Sequence, residues 1–119
     1  MANSIGLIES KGIVALIEAA DVILKNSPVT ILGIHKLDNG LVSLAVSGNS
    51  DYVRAAIESG VEAGRRVGEI YASSVVDNPG KELLEIFSEL FPGDEISKSV
   101  QGEVKKEKAK FEEKIPEVN

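Results

Sequence analysis

The sequence predicts an α+β fold, an antiparallel sheet with helices packed on it, in the order β-α-β-β-α-β followed by a further helix. Three observations carry this. Apolar residues switch between steps of two and steps of three and four along the first ninety positions. Turn residues stand at the switches. An Asn-Gly pair falls between two β-rich runs.

Ser4 to Ser10 reads as a short strand with Ile5, Leu7 and Ile8. After Lys11-Gly12 the period changes. Ile13, Leu16, Ile17, Ala20, Ile23 and Leu24 form one helical stripe, with Glu18, Asp21 and Lys25 off it. Asn26-Ser27-Pro28 stops the helix, because proline disfavours helical backbone in the residue before it. Val29 to Leu37 is rich in β-branched residues. Asn39 and Gly40 then tolerate the positive φ that a tight primed turn demands. In the returning strand, Leu41 to Ser47, one face takes Val42, Leu44 and Val46 and the other takes Ser43, Ala45 and Ser47.

Gly48-Asn49-Ser50-Asp51 offers side-chain oxygens to cap a second helix, from about Tyr52 to Val67. Its stripe is Val53, Ala56, Ile57, Gly60, Gly64 and Val67. Glycine in a helix costs roughly 1 kcal/mol against alanine, an expense offset where a neighbouring backbone comes close. Gly68 is expected as a left-handed cap. Glu69 to Val76 forms the last strand, Asp77-Asn78-Pro79-Gly80 turns, and Lys81 to Phe91 makes a short amphipathic helix.

Composition bounds the function. A chain of 119 residues suits one domain, and 43% apolar with 27% charged residues is a globular balance. Acids outnumber bases 19 to 13. Such a surface repels phosphate backbones and anionic lipids on average, so neither nucleic acid nor a membrane is expected as a partner. The absence of cysteine excludes disulfides and thiol chemistry. His35 is the lone imidazole, so no metal site is expected where zinc needs three or four ligands. No nucleophile–base pair or phosphate-loop spacing occurs, so catalytic residues and cofactors are expected to be none. The opening residues lack a secretory pattern, and Gly12 to Leu24 is too short to span a bilayer and holds two acids, which points to the cytosol.

The composition shifts near Pro92. Residues 1–92 carry 12 acids and seven bases and nearly all the branched aliphatics, and residues 93–119 carry seven acids and six lysines. The first part reads as the domain, the second as a charged, flexible or helical C-terminal extension. From Glu103 to Lys114 that extension offers little for burial beyond Val104 and Phe111. It is either a solvated, partly helical segment or a docking element with Phe111 as its anchor. The small residues Ser43, Ala45, Ala72 and Ser74 share the face of the sheet away from the apolar one. Either another subunit comes close there, or small residues are merely tolerated.

The string Ser4-Ile5-Gly6-Leu7-Ile8-Glu9-Ser10-Lys11-Gly12, followed by Val14-Ala15-Leu16-Ile17-Glu18-Ala19-Ala20-Asp21, resembles the start of the hexamer-forming bacterial microcompartment shell proteins, the BMC domain family. The resemblance continues through Lys25, Gly33-Ile34-His35-Lys36, Gly48, Ala55-Ala56, Gly60 and Val67-Gly68-Glu69, and covers about residues 4–87. It implies flat homohexamers that tile with other shell proteins into the facets of a shell around cargo enzymes in the bacterial cytoplasm. It also implies a central pore lined by the hairpin Lys36, Leu37, Asp38, Asn39 and Gly40. Asn39 matches a small polar pore residue and is expected at the narrowest ring. Asp38, where members often have glycine, is expected at a more acidic pore mouth that favours neutral polar metabolites or cations.

At the tiling edge, Lys25 matches a lysine that the family places near the two-fold between hexamers. Asn78 stands where the family usually has an arginine reaching across the seam, and it is shorter and uncharged. The alternative function is a small-molecule-binding regulatory module, since compact oligomers of this element order also serve as sensors.

Overall fold

The computed structural model describes residues 3–90. The extension at 93–119, and Phe91 at the end of the last expected helix, lie outside the described residues. Strand β1 is Asn3–Lys11, helix α1 Val14–Asn26, β2 Thr30–Lys36 and β3 Leu41–Asn49. Helix α2 is Ser50–Arg65, β4 Glu69–Asp77 and α3 Lys81–Leu90. A single turn of tighter helix, Asp38–Gly40, joins β2 to β3. The expected element order is therefore present, with ends moved by a residue or two.

The four strands form one antiparallel sheet in the order β2-β3-β1-β4. β1 and β2 thus run the same way with β3 inserted between them, the split arrangement of a β-α-β unit. Ile8 faces Leu44 and Ile31 faces Val46 across the sheet, and these residues pack with Leu16, Ile23, Val53 and Ala56 of the two long helices. That layer is the hydrophobic core. Fully burying an aliphatic side chain contributes roughly 1.5–3 kcal/mol, so this face supplies most of the folding free energy.

Two bulges reconcile the pattern with the sheet. On β2 the register passes from Ile31–Val46 to Gly33–Ala45, and on β4 from Ala72–Glu9 to Ile70–Ser10. Leu32 and Tyr71 are the extra residues. Without them Ile31 and Ile34, three apart, would fall on opposite faces, as would Ile70 and Val75. With them all four pack against the core.

The helix stripes are wider than expected, and one member is wrong. α1 also buries Ala15 and Ala19, while Ile13 and Leu24 are half-buried. α2 also buries Val61 and Ala63. Val67, expected on the α2 stripe, lies beyond the helix end and is exposed. Gly68 is not a left-handed cap, since its φ is not positive and Arg66 caps the helix. A Cβ at Gly68 would lie 3.0 Å from the Ala15 Cβ, so packing against α1 accounts for the glycine.

Gly60 and Gly64 serve the close approach expected of them. A Cβ at Gly60 would stand 2.8 Å from Ile23 Cδ1 and 3.0 Å from Ile8 Cδ1. At Gly64 it would meet the tip of Ile70 and, at 3.0 Å, the Ala15 carbonyl oxygen. The α2 helix therefore sits tight on α1 as well as on the sheet.

On the sheet's second face Ser43 and Ala45 are buried, because β3 is central and its neighbours cover such short side chains. Ala72 and Ser74, on the edge strand β4, are exposed.

Candidate functional site

The hairpin between β2 and β3 is built by its turn chemistry. Asn39 has φ 63° and ψ 27°, and Gly40 has φ 78°. These are the two left-handed positions that the Asn-Gly pair was expected to occupy. The Leu41 N–H donates to the Asp38 carbonyl, and the Leu37 N–H donates to the Leu41 carbonyl at 2.8 Å. Leu37 and Asp38 together oppose Leu41, so the hairpin closes with an extra residue rather than a bare two-residue loop. Lys36, Leu37, Asp38, Asn39 and Gly40 are all exposed.

This exposed tip is tethered. The Gly12 N–H donates to the Gly40 carbonyl at 2.9 Å. Gly12 itself has φ 82°, and its carbonyl accepts from the hydroxyl of the buried Ser10 at 2.6 Å. The β1–α1 corner thus holds the hairpin from its inner side. The sequence places Gly12 only as a helix-start residue, and a contact spanning 28 positions has no local signal.

Lys25 lies in the last turn of α1, where a cation suits the helix dipole. It donates to Asp21 at 3.1 Å, and its side chain is 60% exposed. Asn78 follows β4 with φ 49°, a left-handed conformation that asparagine tolerates better than most residues. The register sets these groups apart. Lys11 pairs with Leu41 and Glu69 at the hairpin end of the sheet, and Ser4 pairs with Gly48 and Asp77 at the other. β2 starts opposite Ser47, so α1 also delivers Lys25 to the end away from the hairpin. Lys25 and Asn78 belong to one end of the molecule and residues 36–40 to the other, roughly 25 Å apart along a strand of this length.

The end that holds Asn78 carries a polar cluster that the sequence reading missed. The Asp77 carboxylate accepts from Ser50 Oγ at 2.6 Å, from Ser4 Oγ at 2.7 Å and from the Arg54 guanidinium. These bonds, the Ser50 one foremost, hold its pKa down from 3.8 to about 2. Ser50 and Arg54 share the first turns of α2, where Asn49 accepts from the Asp51 N–H as the expected cap.

β4 forms the sheet's outer edge and is nine residues long. It has neither proline nor lysine, and Tyr71 at its bulge is 67% exposed. Such an edge is a template for another chain unless something covers it. Beside it a groove of about 840 Å³ runs between α2 and β4, floored by Ile57, Val61 and Val75 and rimmed by Arg54, Glu58 and Arg65. Among the described residues no cluster of three or more His, Cys, Asp or Glu could hold a metal, and no helix is long and apolar enough to cross a membrane.

The comparisons with known proteins agree with this architecture. The BMC domain model matches residues 4–79. The bacterial microcompartment shell protein EutM of Salmonella typhimurium is 36% identical over 92 residues, covering 77% of this chain and 96% of the relative. The microcompartment shell protein PduA of Citrobacter freundii is 39% identical over 84 residues, covering 71% and 90%. The carboxysome shell protein CcmK2 of a Synechocystis species is 35% identical over 85 residues, covering 70% and 82%. Among solved structures, a microcompartments protein from Desulfitobacterium hafniense superposes with a TM-score of 0.65 at 25% identity. That match covers 77% of this chain and 50% of the other, so the present chain spans half of that protein's length. Fold, strand order and relatives together define the class of bacterial microcompartment shell proteins. The chain belongs to the BMC domain family.

Proposed function

We propose that this chain is a structural, non-catalytic subunit of a microcompartment shell, and that six copies close into a flat ring around the hairpin 36–40. The domain is residues 1–92, and 93–119 is an appended extension. The observation that carries this reading is the polarity of the subunit. One end presents an exposed but tethered hairpin, and the opposite end presents Lys25 and Asn78. A unit with a tethered tip at one end and a contact edge at the other suits a tiled ring. The β4 edge, Tyr71 and the groove along α2 supply surface for the neighbouring subunit.

In the ring the hairpin tip is repeated six times. Asn39 and the loop backbone frame the narrowest opening, and Asp38 stands at the mouth. Six carboxylates around one axis lower the local concentration of anions and raise that of cations. The pore accordingly passes neutral polar metabolites or cations in preference to small anions. Lys25 and Asn78 meet neighbouring rings, where asparagine cannot make a forked contact as arginine does. Other shell proteins are partners through that same edge. Cargo enzymes are partners through the extension.

Microscopy of the purified protein tests the assembly: six-fold rings with a central opening support it, and a lone subunit or a sealed centre sinks it. The regulatory alternative predicts thermal stabilisation by a small ligand instead. The relatives described above are shell proteins and lend it no support.

A further inference from the structure

The cluster around Asp77 has no part in the pore. Its members come from three elements: Ser4 from β1, Ser50 and Arg54 from α2, and Asp77 from the end of β4. Three donors converge on one carboxylate at a partly open site. The exposed Arg54 pair adds little to stability by itself, whereas the buried Ser4 hydroxyl bonded to Asp77 ties the end of β4 to the folded body. What the cluster controls is direction. Among the described residues β4 is an edge strand paired with β1 alone, and Asp77 is its last residue. The next residue, Asn78, turns to φ 49°, and Pro79 follows with its fixed φ. A carboxylate fixed by α2 and β1 just before such a corner decides where the corner points.

We infer that Asp77, gripped by Ser4, Ser50 and Arg54, is a positioning residue that aims the β4–α3 corner and so presents Asn78 to the adjoining ring. The inference rests on the reading of Asn78 as a seam residue. It adds the group that holds that residue in place.

The test uses the full chain with Ser50→Ala and, separately, Asp77→Asn. Asparagine keeps the size and can still accept from a hydroxyl, but it has no charge for Arg54. Three measurements are made on each variant: ring formation by native mass spectrometry, sheet formation by electron microscopy, and amide exchange along the chain. Both variants are expected to keep their rings. Exchange at Asn78, Gly80 and Lys81 should rise about fivefold or more, with α1 and β3 unchanged. Sheets should need a higher protein concentration than wild type. Wild-type exchange at the corner with wild-type sheets would overturn the inference. Loss of rings together with sheets would also overturn it, because the cluster would then serve the fold as a whole. If the unmodified protein forms rings but never sheets, the seam reading fails instead, and corner exchange alone decides whether Asp77 aims the corner.

Discussion

Asp77 shows how much one side chain can be altered by its neighbours. Its folded pKa of about 2 lies below the 3.8 of an unperturbed carboxyl. A depressed carboxylate contributes stability that is full above the unfolded value and is lost as pH falls through the folded one. Urea denaturation of wild type and Asp77→Asn should therefore show the largest gap near neutral pH, with the two converging as pH falls from about 4 toward 2. A gap unchanged at pH 2 would assign the loss to something other than the charge. Gly12 shows the opposite case, where space is free and conformation is not. A Cβ there meets nothing within 4 Å, but the φ of 82° is left-handed. Gly12→Ala should cost about 1 kcal/mol through backbone strain alone. It should also loosen the hairpin tip, visible as faster exchange of the Leu37 and Leu41 amides.

Among the elements, α2 is placed by what its glycines leave out. Both Gly60 and Gly64 would gain helix propensity as alanine, by roughly 1 kcal/mol. At Gly60 the new methyl would press on the tips of Ile23 and Ile8, which are side-chain ends and yield more readily than backbone. At Gly64 it would press on the Ala15 carbonyl, which belongs to the backbone of α1. Gly64→Ala should therefore destabilise by about 1–3 kcal/mol, and Gly60→Ala by clearly less. Equal losses by chemical denaturation would mean that α1 shifts as readily as an isoleucine tip. The hairpin is an element of the same kind. Its tip is exposed throughout, yet three backbone hydrogen bonds at Leu37, Leu41 and Gly12 hold it. The proposed pore role depends on that combination, because a loop free to move would blur any selectivity that its side chains impose.

At the scale of the whole molecule, the predictions concern assembly and transport. Asp38→Ala should raise the flux of small anions relative to neutral solutes across assembled shells and leave ring formation unchanged. Unaltered selectivity would remove the electrostatic part of the pore account. Lys25→Ala removes an exposed cation whose pair with Asp21 contributes about 0.5 kcal/mol at most to the monomer. Rings should survive it, and ordered two-dimensional arrays should be lost under conditions where wild type forms them. Deletion of residues 93–119 should abolish cargo capture if the extension docks cargo. Undiminished capture would leave it a solvated tail.

The amino-acid sequence alone determined the element order, the punctuation between elements, the two left-handed residues of the hairpin and the family to which the chain belongs. Each of these is local or near-local: a period, a cap, a proline stop, an Asn-Gly pair, an ordered string of matches. Tertiary structure decided what depends on distant partners. The bulges at Leu32 and Tyr71 exist because Ile31 with Ile34, and Ile70 with Val75, must all reach one core, and neither spacing shows which residue yields. Val67 and Gly68 were misread for the same reason, since the helix ends where Gly64 accepts the Val67 and Gly68 amides, before the apolar stripe runs out. Ser4, Ser50, Arg54 and Asp77 meet across up to 73 positions, and Gly12 meets Gly40 across a whole helix and strand. Such contacts form because the sheet's register brings chain segments together, and register is a property of the folded assembly of strands rather than of any one of them.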